Sequence, residues 1–289
     1  MIFAVTGATG HFGGLAIDAM LERGIAPEDI VAVGRSAEKL ADVEERGVQV
    51  RVADYTQPDT LATAFRGVDR LLFVSGSEVG QRIAQHSNVV TAAKDAGIGF
   101  IAYTSAPAAD TSDLVLAPEH KATEKLIREC GIPFAFLRNG WYTENYSQVL
   151  EQARLTGLII SSVADGRVAS ASRKDYAEAA AVVLTGDGHA GKVYELSGDT
   201  SWDYAELADT IGDLIGREVV YHRVTPQEHR TILTDAGVPP AQADFVVALD
   251  GNTRDGLLAG TSGQLSALIG RATTPLRDGL AEALVPAQA

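Results

Sequence analysis

Apolar positions along the chain fall into short blocks at 2–6, 30–34, 48–53, 70–75, 98–104 and 133–138, each read as a β-strand. Between them, 11–23, 37–46, 59–65, 79–96 and 119–130 carry apolar residues at helical spacing. Gly24, Gly47, Gly67, Gly97 and Gly131 follow these segments as stop signals. Regular strand and helix alternation with short connections predicts a parallel, doubly wound sheet. The pattern loosens after Asn139. Helices are expected at 144–155 and 175–184, strands near 158–161 and 167–170, and a last sheet strand at 192–197. Beyond Trp202, helices dominate at 204–215, 226–236, 240–249 and 274–284, with a short strand at 218–222 and a Gly/Asn/Thr/Ser-rich loop at 251–263. The fold class expected is therefore α/β, a Rossmann-like doubly wound parallel sheet with a smaller, mainly helical C-terminal lobe. The dinucleotide-binding domain is placed at 1–150, with segments in 158–200 returning to its sheet, and the substrate-side lobe at 201–289.

Length and composition narrow the classes. The 289 residues, 46% hydrophobic, suffice for one large α/β domain and an appended lobe. With 24 basic and 38 acidic residues, the net charge of −14 opposes direct binding of nucleic acid or an anionic membrane surface. No apolar run approaches a membrane span and no leader-like segment opens the chain, so a soluble protein without membrane insertion is expected. The single Cys130 forms no intramolecular disulfide and fits a reducing cytoplasm. Six histidines, scattered without ligand spacing, argue against a metal site.

The first strand runs into Thr6-Gly7-Ala8-Thr9-Gly10-His11-Phe12-Gly13, a strand, glycine turn and helix of the kind that cradles a pyrophosphate. Its glycine spacing, G-x-x-G-x-x-G, departs from G-x-G-x-x-G, and its context carries the reading. Gly7 suits the sharp reversal, Gly10 a close backbone approach to phosphate, and Gly13 tight packing of helix on sheet. Where an NAD site usually has a carboxylate, after the second strand, stands Arg35. A guanidinium there suits a 2′-phosphate and favours NADP(H), the alternative being an exposed arginine opening a helix. Asp54, ending the third strand, accepts either from the adenine amino group or from its own Asx turn. Two hydroxyl-rich segments, Ser75-Gly76-Ser77 and Tyr103-Thr104-Ser105, end strands four and five, where the nicotinamide half of a cofactor would lie.

Carbonyl reduction of the short-chain type uses a Tyr-x-x-x-Lys dyad. None of the eight tyrosines has a lysine four residues on. General acid catalysis contributes roughly 10²- to 10⁴-fold, so acceptors needing little proton assistance remain.

Taken together, Thr6-Gly7-Ala8-Thr9-Gly10, Arg35, Ser77-Glu78-Val79-Gly80-Gln81-Arg82, Phe100-Ile101-Ala102-Tyr103-Thr104-Ser105, Leu137-Arg138-Asn139-Gly140-Trp141-Tyr142, Ala169-Ser170-Ala171-Ser172-Arg173 and Gly191-Lys192-Val193-Tyr194-Glu195-Leu196 give the chain its family likeness. It resembles the NmrA-like group of atypical short-chain dehydrogenases/reductases, and within it the NADPH:quinone oxidoreductases of type 2. The resemblance implies NADPH contacts at Thr6, Gly7, Ala8, Thr9, Gly10, His11 and Phe12, at Arg35, at Ser75, Gly76 and Ser77, at Asn139, Gly140, Trp141, Tyr142, Thr143 and Glu144, and at Arg173. At Gly76, where a serine-rich stretch is expected, only a backbone contact remains. Asn139 offers donor and acceptor to the nicotinamide or substrate, and Gly140 permits close backbone approach. Trp141, Tyr142 and Tyr146 form either an apolar wall for a flat quinone or packing between lobes. Arg173 holds a phosphate or the nicotinamide side, or makes a structural ion pair. His120 and Glu124 align with the usual dyad, so His120 is either a proton donor or a packed helix histidine.

The expectation is an NADPH-dependent quinone reductase passing hydride directly to the quinone, without flavin or metal, with Asn139, Tyr142 and His120 as catalytic candidates. An NADP(H)-binding redox sensor without turnover is the rival. The partner expected is a small-molecule quinone, and the sequence leaves a homodimer open.

Overall fold

The computed structural model describes residues 1–284. Seven strands form one parallel sheet: β1 (Phe3–Val5), β2 (Ile30–Gly34), β3 (Gln49–Val52), β4 (Arg70–Phe73), β5 (Phe100–Ser105), β6 (Phe134–Asn139) and the late strand Lys192–Leu196. In space they run Lys192–Leu196, β6, β5, β4, β1, β2, β3, and every neighbouring pair is parallel. The order reverses between β1 and β4, which makes this a Rossmann-like doubly wound sheet whose switch point opens a crevice at the strands' carboxyl ends.

Both faces of the sheet are covered, and the pleat divides its side chains between two cores. Phe3 and Val5, Ile30 and Ala32, Phe100 and Ala102 pack toward helix α1 (His11–Glu22), helix Arg173–Thr185 and helix Gln264–Ile269. Ala4, Val31 and Val33, Ile101 and Tyr103 pack the other way, against helices Pro58–Ala64, Arg82–Asp95 and Ala117–Cys130. Strands buried on both faces read as near-continuous apolar runs, which is why the sequence shows them plainly. The five glycines expected to stop helices all adopt positive φ.

A third core, around Tyr146, Leu150, Trp202, Tyr204, Leu207 and Ile211, underlies the segments after residue 140. Leu158–Ser161 pairs in parallel with Val220–Arg223. The single strand expected near 167–170 is split: Arg167–Val168 pairs with Trp202–Asp203, and Ser170–Ala171 with Trp141–Tyr142.

Several boundaries differ from expectation. Residues 37–46 form one 3₁₀ turn and a five-residue helix, Ala41–Glu45, in place of a continuous helix. The helix expected from residue 79 starts at Arg82, because the preceding loop is held by side-chain hydrogen bonds. Helix Pro240–Arg254 runs past residue 249 and takes the start of the expected 251–263 loop, since Asp250 and Thr253 are buried on it; Gln264–Ile269 is a further helix the composition hid.

Candidate functional site

The crevice at the switch point is a cleft of about 340 Å³. It is lined by Gly7, Thr9, Gly10, His11, Phe12 and Gly13 from the first turn, Gly34 at the end of β2 and Arg35 after it, Asp54 and Tyr55 after β3, Ser75 to Glu78 after β4, and by Gln85 and Arg173. Gly7 has φ +63°, the left-handed conformation that the reversal requires. At Gly13 a Cβ would fall against the Gly7 carbonyl and within 2.8 Å of Ala8 Cα, so this glycine is demanded by the protein's own packing. Gly10 is different: its Cβ would meet only Gly7 O, at 3.3 Å. No side chain caps α1 at Gly10 and no acid stands in its first turn, so the positive helix end is left facing the cleft.

Thr6 and Ala8 lie beneath the floor and do not line it. The Thr6 hydroxyl is fully buried, donating to Leu72 O at 3.3 Å and accepting from Val74 N–H at 3.0 Å, and so ties β1 to the loop after β4. Ala8 N–H donates to Val33 O. Asp54 forms an Asx turn: Oδ1 accepts from the Thr56 amide and hydroxyl, both at 2.8 Å, and the amide bond in particular holds the carboxyl below its usual range. It still lines the cleft.

The loop after β4 is clamped from behind. Gly76 N–H donates to His86 Nε2 at 2.9 Å, and Gly76 O accepts from Arg82 Nε at 2.6 Å. A backbone amide can only donate, so Nε2 is the acceptor and the imidazole proton sits on Nδ1, donating to Thr123 Oγ1 at 2.8 Å. Burial pushes His86 down to about 3, keeping it neutral for this task. The expected backbone contact at Gly76 is thereby corrected: its N–H is consumed inside the protein. Ser75 is held through Thr104, whose hydroxyl accepts from Ser75 N–H at 2.8 Å. Ser77 is exposed.

Around residues 139–146 the structure departs furthest from expectation. Asn139 is buried; its Nδ2 donates to the Tyr142 hydroxyl at 3.1 Å, and its Oδ1 has no partner. A buried orphan acceptor costs free energy that a ligand N–H or O–H would recover. Gly140 is glycine because a Cβ there would lie 2.8 Å from Leu196 O and 3.0 Å from the Tyr176 hydroxyl, so its constraint comes from the sheet. Trp141, Tyr142 and Tyr146 form no common wall. Neighbouring residues of a strand point oppositely: Trp141 packs on the third core, while Tyr142 turns to Phe12 (centroids 6.2 Å), Tyr176 (5.2 Å) and the Arg173 guanidinium (5.2 Å). Tyr146 packs edge-on against Trp202 and Tyr204. Thr143 is buried in a hydrogen bond with Ser170 Oγ, and Glu144 accepts the Arg173 amide at 2.8 Å, helping to cap that helix. Of this block, Tyr142 alone reaches the cleft's edge, through Phe12 and Arg173.

His120 does not line the cleft. It is 5% exposed, bonded through Nδ1 to the Tyr103 hydroxyl at 2.9 Å, and burial pushes it down to about 3. A neutral imidazole at pH 7 has no imidazolium proton to give, which favours the packed-histidine reading. Glu124, its partner in the dyad positions, makes a buried two-point ion pair with Arg138 at 2.9 and 2.7 Å. Among the described residues no group of three or more His, Cys, Asp or Glu could hold a metal ion. No helix among the described residues is long and apolar enough to cross a membrane.

Sequence reasoning did not single out Tyr55 or Gln85. Tyr55 donates to Val74 O at 2.8 Å and walls the cleft beside Asp54, where its place after the third strand was an available signal. Gln85 sits within a helix and no local pattern marks it.

A glycine turn at the switch point, an uncapped helix behind it and a cation at the rim define a dinucleotide-binding protein of the reductase type. Residues 2–250 match the NmrA-like family, and the chain belongs to that family. It is 43% identical over 277 residues to quinone oxidoreductase 2 of Escherichia coli (strain K12), covering 96% of each chain. The crystal structure of the NADPH-dependent quinone oxidoreductase from Escherichia coli complexed with NADPH superposes with a TM-score of 0.94 at 42% identity, over 97% of this chain and 99% of that one. The Citrobacter sp. triphenylmethane reductase complexed with NADP(H) gives 0.92 at 40% identity, over 98% and 100%.

Proposed function

We infer that the protein is an NADPH-dependent quinone reductase that works without flavin or metal. The observation that carries the reading is the switch-point cleft, with α1 left uncapped behind it and Arg35 at its rim, in a chain so similar to a quinone oxidoreductase.

The residues present fit the cofactor. The Thr9 amide and those of His11 and Phe12 at the start of α1 hold the pyrophosphate, the Ala8 and Gly10 amides being taken by Val33 O and Gly7 O. Arg35 takes the 2′-phosphate, and the Ser75 and Ser77 hydroxyls bond ribose oxygens. Arg173, stacked on Tyr142 at the far wall, adds positive charge. Asn139, buried behind the cleft, acts on the nicotinamide end through Tyr142, whose hydroxyl accepts its Nδ2–H at 3.1 Å. When bound, NADPH supplies the hydride. Tyr142, fixed by Asn139, Phe12 and Tyr176, orients what lies beside it and excludes water. A quinone becomes aromatic on reduction, so orientation and stabilisation of the forming oxyanion suffice without a dedicated acid. That agrees with the missing Tyr-x-x-x-Lys dyad and the neutral His120. A cytoplasmic setting and a homodimer complete the reading; sedimentation equilibrium tests the second.

The purified protein should oxidise NADPH, followed at 340 nm, when menadione or benzoquinone is added and should leave cyclohexanone untouched. Reduction of the ketone at a comparable rate would overturn the acid-free account.

A further inference from the structure

One ion pair spans the mouth of the cleft. Arg35, at the end of β2, places Nη1 3.1 Å from Oε1 of Glu78, in the loop after β4, with β1 lying between those two strands in the sheet. Both residues line the cleft. Among the described residues this is the only side-chain hydrogen bond Arg35 makes, and its side chain is 67% exposed.

Glu78 is the fixed member. Its Oε2 accepts from Gln85 Nε2 at 2.9 Å, and Gln85 is itself buried on helix Arg82–Asp95. The loop that carries Glu78 is held on either side, by Gly76 through His86 and Arg82 and by Gly80, whose amide donates to Glu119 Oε1 at 2.9 Å. A carboxylate locked beside the cation meant for a phosphate is an unfavourable neighbour for that phosphate. Arg35 is the part free to swing, and it cannot serve two anions at full strength.

We propose that Glu78 is a specificity-determining residue: it holds Arg35 across the cleft and competes with the cofactor's 2′-phosphate for it, thereby weakening NADPH binding and narrowing the preference over NADH. The inference rests on Arg35 being the 2′-phosphate partner. NADH brings no anion to that position and leaves the pair intact, so its affinity does not depend on Glu78. The pair is exposed and screened, so the competition is modest, about two- to fivefold in affinity.

The test is calorimetry on the full chain with NADPH, NADH, adenosine 2′,5′-bisphosphate and AMP, comparing wild type, Glu78→Gln, Arg35→Ala and the double variant. Glutamine keeps the size of Glu78 and removes the charge. Both side chains lie at the rim, and matching melting temperatures check that the fold is retained. Glu78→Gln should tighten NADPH and the bisphosphate about two- to fivefold, leave NADH and AMP unchanged, and lose its effect once Arg35 is alanine. Unchanged or weaker NADPH binding in Glu78→Gln, or the same gain without Arg35, overturns the proposal. Failure of the underlying reading looks different: Arg35→Ala would then weaken NADPH and NADH alike.

Discussion

At the glycine-rich end of the cleft, backbone groups are left open: α1 starts at Gly10 with no capping side chain, and Gly7 turns the chain by its positive φ. Around Asn139 to Glu144 nearly every polar group is already committed, Asn139 Nδ2 to Tyr142, Thr143 to Ser170, Glu144 to the Arg173 amide, with only Asn139 Oδ1 left over. Helices further along show the same contrast. Arg173–Thr185, Tyr204–Ile215 and Pro226–Asp235 each begin with a complete capping box, the device α1 omits. A helix end left unsatisfied beside a cleft is where an anion gains most, and a block tied through Tyr142 to the α1 side of the sheet and through Trp141 to the third core is where a substitution acts through packing as well as through the ligand.

The largest effect is expected from the two glycines of the turn, and it should split by mechanism. Gly10→Val should abolish NADPH binding by calorimetry while the melting temperature changes little, because the protein itself crowds that position only at 3.3 Å. Gly13→Ala should instead destabilise the fold by about 1–3 kcal/mol, as overpacking does, and be visible as a lowered melting temperature before any ligand is added. If Gly10→Val retains tight NADPH binding, the open end is merely a turn.

Arg35→Ala comes next. A charged hydrogen bond contributes about 1.5–3 kcal/mol, and the exposure of this guanidinium favours the low end, so NADPH should bind about tenfold more weakly with NADH nearly unchanged. Tyr142→Ala should sharpen the contrast between the two ends. Because the ring touches Phe12 and Arg173 as well as Asn139, both the NADPH dissociation constant and the quinone KM should rise, each about three- to tenfold given the size of cation–π and aromatic contacts. A change in quinone KM alone would make Tyr142 a substrate wall with no part in bracing the cofactor cleft.

His120→Gln should have the smallest effect on rate, under about tenfold, well below the loss of a general acid. With His120 and His86 both pushed down to about 3 by burial, neither changes charge in the folded protein between pH 5 and 8, so kcat/KM should show no step near 6.5 from His120. Their effect on stability has a definite sign. In the unfolded chain these histidines protonate near 6.5, so the stability from keeping them neutral is fully present above that pH and is lost as pH falls from about 6.5 toward 3. A melting temperature that drops between pH 7 and 5, with a smaller drop in His120→Gln, checks it.

The sheet, its order reversal and the phosphate turn were legible because their residues have one dominant physical cause. Strands buried on both faces leave apolar runs, and a turn needing positive φ leaves glycine at position 7. The 139–146 block allowed two readings because Trp, Tyr and Asn serve packing and ligand binding equally well, and the alternation that sends Trp141 and Tyr142 to opposite sides depends on a two-residue strand pairing with Ser170–Ala171. Gly140 shows the same limit: its constraint is imposed by the Leu196 carbonyl, which would lie 2.8 Å from a Cβ there and comes from a distant part of the chain. Helix Gln264–Ile269 was hidden by the Gly/Ser/Thr-rich residues before it, although Leu265 is fully buried against the sheet.

The central claim is direct hydride transfer from NADPH to a quinone on this chain alone. Desalted wild-type protein, free of added flavin, is loaded with one equivalent of NADPH or of its C4-deuterated form and mixed with menadione in a stopped-flow instrument. The account predicts rapid loss of absorbance at 340 nm, one NADPH per menadione, slowed by deuterium at the transferred position. NADPH that binds tightly yet stays reduced at the buffer rate would contradict it and leave a cofactor-binding sensor in place of an enzyme.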